Sequence, residues 1–116
     1  TEALRLLPSE SSNPRFSVGT QMDELQKPLL MATRRALPGH RINAFGKGGR
    51  AYGFVVQNSY IVDETTGWFV FVTANLYTNA NRTMNDDQYE YDEVARPFVQ
   101  GLGELLAREF LRAPTE

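Results

Sequence analysis

The densest chemistry in this sequence lies in Gly46-Lys47-Gly48-Gly49, one ammonium set in a run of glycines. Glycine lets a backbone come close to a ligand. An ammonium beside backbone N–H groups suits an anion or a developing oxyanion. The leading glycine, the spacing and the following hydroxyl of a phosphate-binding P-loop are all missing. Lys47 is one of only two lysines among 12 cationic residues, which makes its placement notable. The structural alternative is a strand end that needs backbone freedom.

A second concentration runs from Asp86 to Glu93, with Asp86, Asp87, Glu90, Asp92 and Glu93. Asn79, Asn81, Asn85 and Asp87 offer oxygen ligands, but no glycine stands among them as a calcium loop requires. These carboxylates read as a solvated loop that favours the start of the helix after it. Tyr89 and Tyr91 alternate with the acids and are expected to anchor that loop. His40 follows Pro38-Gly39 in a turn, where an imidazole is expected to face solvent rather than to act as a base. The absence of cysteine excludes thiolate catalysis and cysteine–zinc sites. One histidine excludes a histidine-based metal site. No residue pattern calls for a metal or a cofactor.

Those groups must be positioned by a chain of 116 residues, enough for one domain with one core. Hydrophobic residues make up 41% and charged residues 22%, a globular balance rather than a disordered or coiled-coil one. The net charge of −2 comes with no basic stripe, which argues against a nucleic-acid partner. The longest apolar stretches are about half what a bilayer span needs. The chain opens Thr1-Glu2 with neither Met nor a basic-then-apolar leader, so it reads as a processed or excised piece.

Residues 1–40 read as an irregular arm rich in Pro and Ser, with a short helix. Leu4, Leu6 and Leu7 are expected to form a short anchored strand or turn, and Phe16 and Val18 another. Asp23-Glu24 offers acidic first-turn charge, and Leu25, Leu29 and Leu30 recur at helical spacing. Pro28 then sets the helix start near Lys27 or breaks it. Residues 41–77 read as an antiparallel sheet: a strand over 41–49 running into the glycines, a second over 54–62 and a third over 68–77. The third alternates Trp68, Val70, Val72, Ala74 and Leu76 with Phe69, Phe71, Thr73, Asn75 and Tyr77. Trp68 and the strand aromatics are expected in the core. The turn Asp63 to Gly67 makes the last two strands a hairpin. Residues 78–93 form a polar loop and 94–112 a helix. Its stripe reads Phe98, Leu102, Leu105, Leu106 and Phe110, with Val99 and Leu111 beside it, and the helix starts near Val94 or kinks at Pro97. Gly101 and Gly103 are expected to let it lie close against the sheet.

The fold class is therefore α+β: a three-stranded antiparallel sheet with a long carboxyl-terminal helix packed on it and an irregular amino-terminal arm. The chain left over is too short to cover the second sheet face, which implies a missing partner.

The order of elements resembles the last third of the class A β-lactamase and penicillin-binding serine-hydrolase family, a partial β-lactamase-like fold. The strand Phe45-Gly46-Lys47-Gly48-Gly49-Arg50-Ala51-Tyr52-Gly53-Phe54 is similar to that of uncharacterised β-lactamase-like hydrolases. So is Asn85 to Val94 ahead of Pro97-Phe98. The resemblance covers residues 41–112 and implies substrate-binding roles for Lys47, Gly48, Gly49 and Arg50. Lys47 would hold an anionic group of the substrate, and the Arg50 N–H would serve the oxyanion. It also implies an extracytoplasmic location. Gly48 replaces the family's middle hydroxyl, which bears on β-lactam recognition. The nucleophile motif Ser-x-x-Lys is nowhere in the chain. Its one Ser-x-Asn match, Ser11-Ser12-Asn13, lies too near Lys47 in sequence and reads as coincidence.

Two functional classes follow. In one, the chain is the carboxyl-terminal segment of such a hydrolase. It forms one wall of an acyl-transfer site, is inactive alone, and has the upstream part of its parent as partner. In the other it is a self-standing, non-catalytic binding or dimerisation module, with a second copy over the open sheet face.

Overall fold

The structure, a computed structural model, describes residues 2–10, 23, 26–83 and 88–111. One helical turn, α1 (Glu2–Arg5), and a 3-10 turn at Pro8–Glu10 precede helix α2 (Pro28–Ala36). Strands β1 (Ile42–Ala51), β2 (Phe54–Asp63) and β3 (Phe69–Tyr77) follow. A wide π turn at Tyr91–Ala95 leads into helix α3 (Arg96–Leu106), and a second at Ala107–Leu111 extends it.

The sheet is an antiparallel meander in the order β1-β2-β3. Ile42 pairs with Asp63 at one end of the first hairpin and Ala51 with Phe54 at the other. The connection is the two-residue turn Tyr52-Gly53, with φ of 53° and 90°. Positive φ at both central positions is the hairpin turn whose twist suits the flanking strands. Glycine is required at position 53, because a Cβ there would also stand 2.7 Å from the Cβ of Asn79. The strand expected to end at the glycine cluster instead runs through it to Ala51. Here the hairpin register overrides the low strand propensity of glycine.

Pro28 opens α2 as the sequence implies, since its missing N–H is an orphan at that position anyway. Arg34 and Arg35 lie in the last turn, where the helix dipole favours cations. Asp23 is helical, and its carbonyl accepts the Lys27 N–H at 2.8 Å. Its carboxylate is buried and accepts from the Ser9 N–H at 2.9 Å and the Ser9 hydroxyl at 2.6 Å. Leu4 lies within the α1 turn and Leu6 just after it, neither in a strand, and Leu7 reaches the core. Phe16, Val18, Glu24, Leu25 and the Ser11-Ser12-Asn13 match lie outside the described residues.

The core sits between the helices and one sheet face. Leu29 and Leu30 of α2, Ile42 of β1, Ile61 of β2 and Leu111 are all sealed from solvent. Parity along β2 shows which face is covered, because Val55, Gln57, Ser59, Ile61 and Asp63 are all buried.

The carboxyl-terminal helix packs through Ala95, Val99, Gly103, Leu106 and Leu111, with Leu102 against the core, so only part of the expected stripe is buried. Phe98, Leu105 and Phe110 point to solvent. Gly103 sets this rotation, by lying on α2 rather than on the sheet. A Cβ at Gly103 would stand 2.6 Å from the Ala32 Cβ and 2.9 Å from the Leu29 carbonyl. The Thr33 hydroxyl, which donates to the Leu29 carbonyl at 2.7 Å, also comes within 3.3 Å of the Gly103 carbonyl. Gly101 has open space around it.

Trp68, Phe69 and Phe71 are likewise outside the core. Phe69 and Phe71 share the open face of the edge strand β3, where alternation takes them away from the helices, and Trp68 lies in the connection just before that strand.

Candidate functional site

Alternation along β1 separates the four residues of the glycine cluster and its flank. Lys47 shares parity with Phe45 and stands on the open face, exposed, in the cross-strand row Lys47–Asn58–Thr73. Around that row the open face is aromatic. Phe45, Tyr60 and Phe71 form one cross-strand row, and the Tyr60 ring also lies 5.5 Å from Phe69 and 6.4 Å from Phe45. Beyond Lys47, Phe54 and Tyr77 pair at 4.6 Å. Phe69 is 61% exposed and Phe71 71%. At about 150–250 Å² per aromatic side chain, the exposed aromatic surface is on the order of 400 Å². That matches the largest patches monomers tolerate, which are often functional.

Gly48, Gly49 and Arg50 instead line a cleft of about 210 Å³ on the helix side of the sheet. The cleft opens between the end of β1, the start of α2 and the π turn that precedes α3. Val55, Ala95 and Val99 give it an apolar floor, and two guanidinium-bearing residues, Arg50 and Arg96, stand at its mouth. Arg50 lies over the Tyr91 ring, 5.1 Å from its centroid. Arg96 reaches Asp92 at 2.9 Å, an exposed pair worth well under 1 kcal/mol, about 0.3–0.5 at this i, i+4 spacing. The Tyr91 hydroxyl accepts the Gly53 N–H at 3.0 Å, so this tyrosine does anchor its loop, to the β1–β2 turn. Gln57 projects into the cleft from β2. It is 9% exposed, and its amide has no hydrogen-bond partner among the described residues. A Cβ on Gly48 would run into that amide, so glycine at 48 makes room for Gln57.

His40 differs from its expected exposed state. Its Nδ1 lies 2.5 Å from Oδ2 of Asp63, which is fully buried. The other Asp63 oxygen accepts the Thr65 N–H at 2.9 Å and the Thr66 N–H at 3.4 Å. Burial pushes the Asp63 carboxyl up, but the His40 hydrogen bond, the two backbone N–H groups and the His40 charge outweigh it. The net pKa is below the ordinary 3.8. The pair ties the α2–β1 connection to the β2–β3 turn. No serine or threonine hydroxyl bonds to His40 among the described residues.

Lys27, the second lysine, is structural. Its ammonium donates to the carbonyls of Leu4 at 2.6 Å, Arg5 at 2.9 Å and Ala44 at 3.0 Å. Burial lowers its pKa, and the neighbouring Arg34 and Arg5 act the same way against the opposing charge of Glu10.

Among the described residues, no three of His, Asp and Glu converge as metal ligands, and no helix is long and apolar enough to cross a membrane. Asn85, Asp86 and Asp87 lie outside the described residues. No family model, curated protein or solved structure matches this chain.

The sequence reading missed Gln57, Tyr91 and Arg96 at the cleft, and Asp63 behind His40. Two signals were present. Gln57 has the buried parity of Val55 and Ile61, and pairing Ile42 with Asp63 brings His40 to the same sheet end.

Proposed function

We propose that this chain is the carboxyl-terminal segment of a β-lactamase-like serine hydrolase, supplying one wall of an acyl-transfer site and inactive alone. The observation that carries the reading is Lys47 standing mid-strand within an open aromatic sheet face. A face of that composition is normally covered. Its cover would be the upstream part of the parent, bringing the Ser-x-x-Lys nucleophile that this sequence lacks. Lys47 then holds an anionic group of the substrate, with Gly48, Gly49 and the Arg50 N–H on the same strand bordering the reacting carbonyl. Gly48 in place of a hydroxyl weakens carboxylate recognition, so β-lactams are not the expected substrates. The resemblance implies a parent outside the cytoplasm.

The test mixes the chain with the helical Ser-x-x-Lys portion of a β-lactamase-like hydrolase and follows solution mass and labelling by a fluorophosphonate. That reagent reports an activated serine without requiring β-lactam recognition. The expected outcome is a one-to-one complex that labels, no labelling of either part alone, and loss of labelling with Lys47→Gln. A complex of correct mass that does not label refutes the reading.

A second reading, a self-standing module paired with its own copy, is favoured by one observation. The helix-side core around Leu29, Ile42, Ile61 and Leu111 is closed without outside help. A dimer mass with the aromatic face protected, and no association with a helical portion, selects it.

A further inference from the structure

The helix-side cleft lies on the other face of β1 from Lys47, and although Gly48, Gly49 and Arg50 line it, no role given above uses its Gln57, Arg96 or the Arg50 guanidinium. We propose that it is a binding site for a small carboxylate with an apolar body, of the size of an aromatic or branched acid.

Gln57 points to a ligand. It is a polar side chain nine-tenths buried, without a hydrogen-bond partner among the described residues, and it faces the cleft. Its amide atoms are open to the cleft rather than sealed, so a polar group entering the cleft can pair with them. The charge at the mouth gives that group its sign. Among the described residues, Arg50 and Arg96 bring two guanidiniums against one carboxylate, Asp92, and the Arg96–Asp92 pair is exposed and exchangeable. Stacking on Tyr91 holds the Arg50 guanidinium as a planar fork suited to a carboxylate. The floor then separates carboxylates from inorganic anions. Val55, Ala95 and Val99 offer no donors, so a tetrahedral anion would leave half of its oxygens facing methyl groups. A carboxylate with an apolar body meets the arginines with one end and the floor with the other. At about 210 Å³ the cleft is below the usual range of pockets for larger ligands, about 300–1,000 Å³, which sets the size.

The site shares Gly48, Gly49 and Arg50 with the hydrolase reading but lies on the other face of the sheet from Lys47, so Lys47→Gln tells the two apart.

Benzoate is the probe, titrated into the full chain while amide NMR follows the Gln57 side chain and the Gly48 and Gly49 N–H groups. Benzoate is expected to shift all three saturably, and benzamide or inorganic phosphate to bind about tenfold more weakly. Arg50→Gln and Arg96→Gln are each expected to weaken benzoate about tenfold. Both residues are exposed, so neither change touches the core. Lys47→Gln should leave the affinity within about twofold. The proposal is overturned if benzamide or phosphate matches benzoate, if Lys47→Gln weakens binding as much as the arginine variants, or if no saturable shift appears by about 50 mM.

Discussion

Replacing Gly103 by alanine sets two effects of similar size against each other, and the contact between α2 and α3 decides the sign. Alanine is better than glycine in a helix interior by about 1 kcal/mol. At Gly101, where nothing lies within 4 Å of the new Cβ, only that gain operates. Gly101→Ala should therefore stabilise the chain by about 0.5–1 kcal/mol. At Gly103 the new Cβ would stand 2.6 Å from the Ala32 Cβ, about 1 Å inside ordinary carbon contact. It would also stand 2.9 Å from the Leu29 carbonyl, a backbone atom that moves only with α2. Overpacking of this kind costs about 1–3 kcal/mol. The net expectation is a destabilisation of about 1–2 kcal/mol for Gly103→Ala, opposite in sign to its neighbour two residues away. Urea unfolding followed by circular dichroism and by Trp68 fluorescence measures both, with coincident transitions as the check on two-state behaviour. Ala32→Gly added to Gly103→Ala removes the closer clash and should recover about 1 kcal/mol beyond additivity. If Gly101→Ala and Gly103→Ala stabilise equally, the two helices do not meet at Gly103 and the packing described for α3 is wrong.

Stability should fall in acid through Asp63. Its folded pKa is below the ordinary 3.8, so its contribution is complete above that value and disappears as pH falls through the folded pKa. The urea midpoint is expected to drop below about pH 4, and Asp63→Asn should flatten that drop while costing about 2 kcal/mol at neutral pH; an unchanged acid limb in the variant would show that Asp63 is not the group. Lys27→Met leaves three carbonyls without their shared donor and should loosen α1, at a cost of about 1–2 kcal/mol given its partial exposure. Hydrogen exchange confined to residues 2–10 is the expected signature, and protection unchanged there would count against the role. Phe71→Asn removes the most exposed ring of the open face. It should change stability by less than about 0.5 kcal/mol yet sharply reduce binding of an apolar dye; a large loss of stability would mean that the ring is packed in solution.

The antiparallel sheet and the closing helix were legible because their signals are local. Alternation from Phe69 to Tyr77 needs only the strand itself, and Pro28 marks a helix start by what it lacks. The face of α3 was legible only in part, since Val99, Leu106 and Leu111 are buried as their place in or beside the stripe implies, but its other large residues are not. Phe98, Leu105 and Phe110 are more apolar than Gly103 and Ala107, so hydrophobicity alone turns the helix the wrong way. What turns it back is space, since only a small residue admits α2. Hydrophobicity misplaces the β3 aromatics for a related reason. A buried sheet and a sheet with one open aromatic face share the same alternation, and the difference lies in whether anything covers the second face. The cleft needed the third dimension altogether, because Gln57, Arg50 and Arg96 come from three separate elements.

The glycine cluster gains a different meaning from its strand. A loop would let Lys47 and Arg50 converge on one ligand, but a strand gives them opposite parity. Lys47 therefore acts on whatever covers the open face, and the Arg50 guanidinium acts on whatever enters the cleft behind it. Gly48 serves the second arrangement, since any larger residue would displace the Gln57 amide.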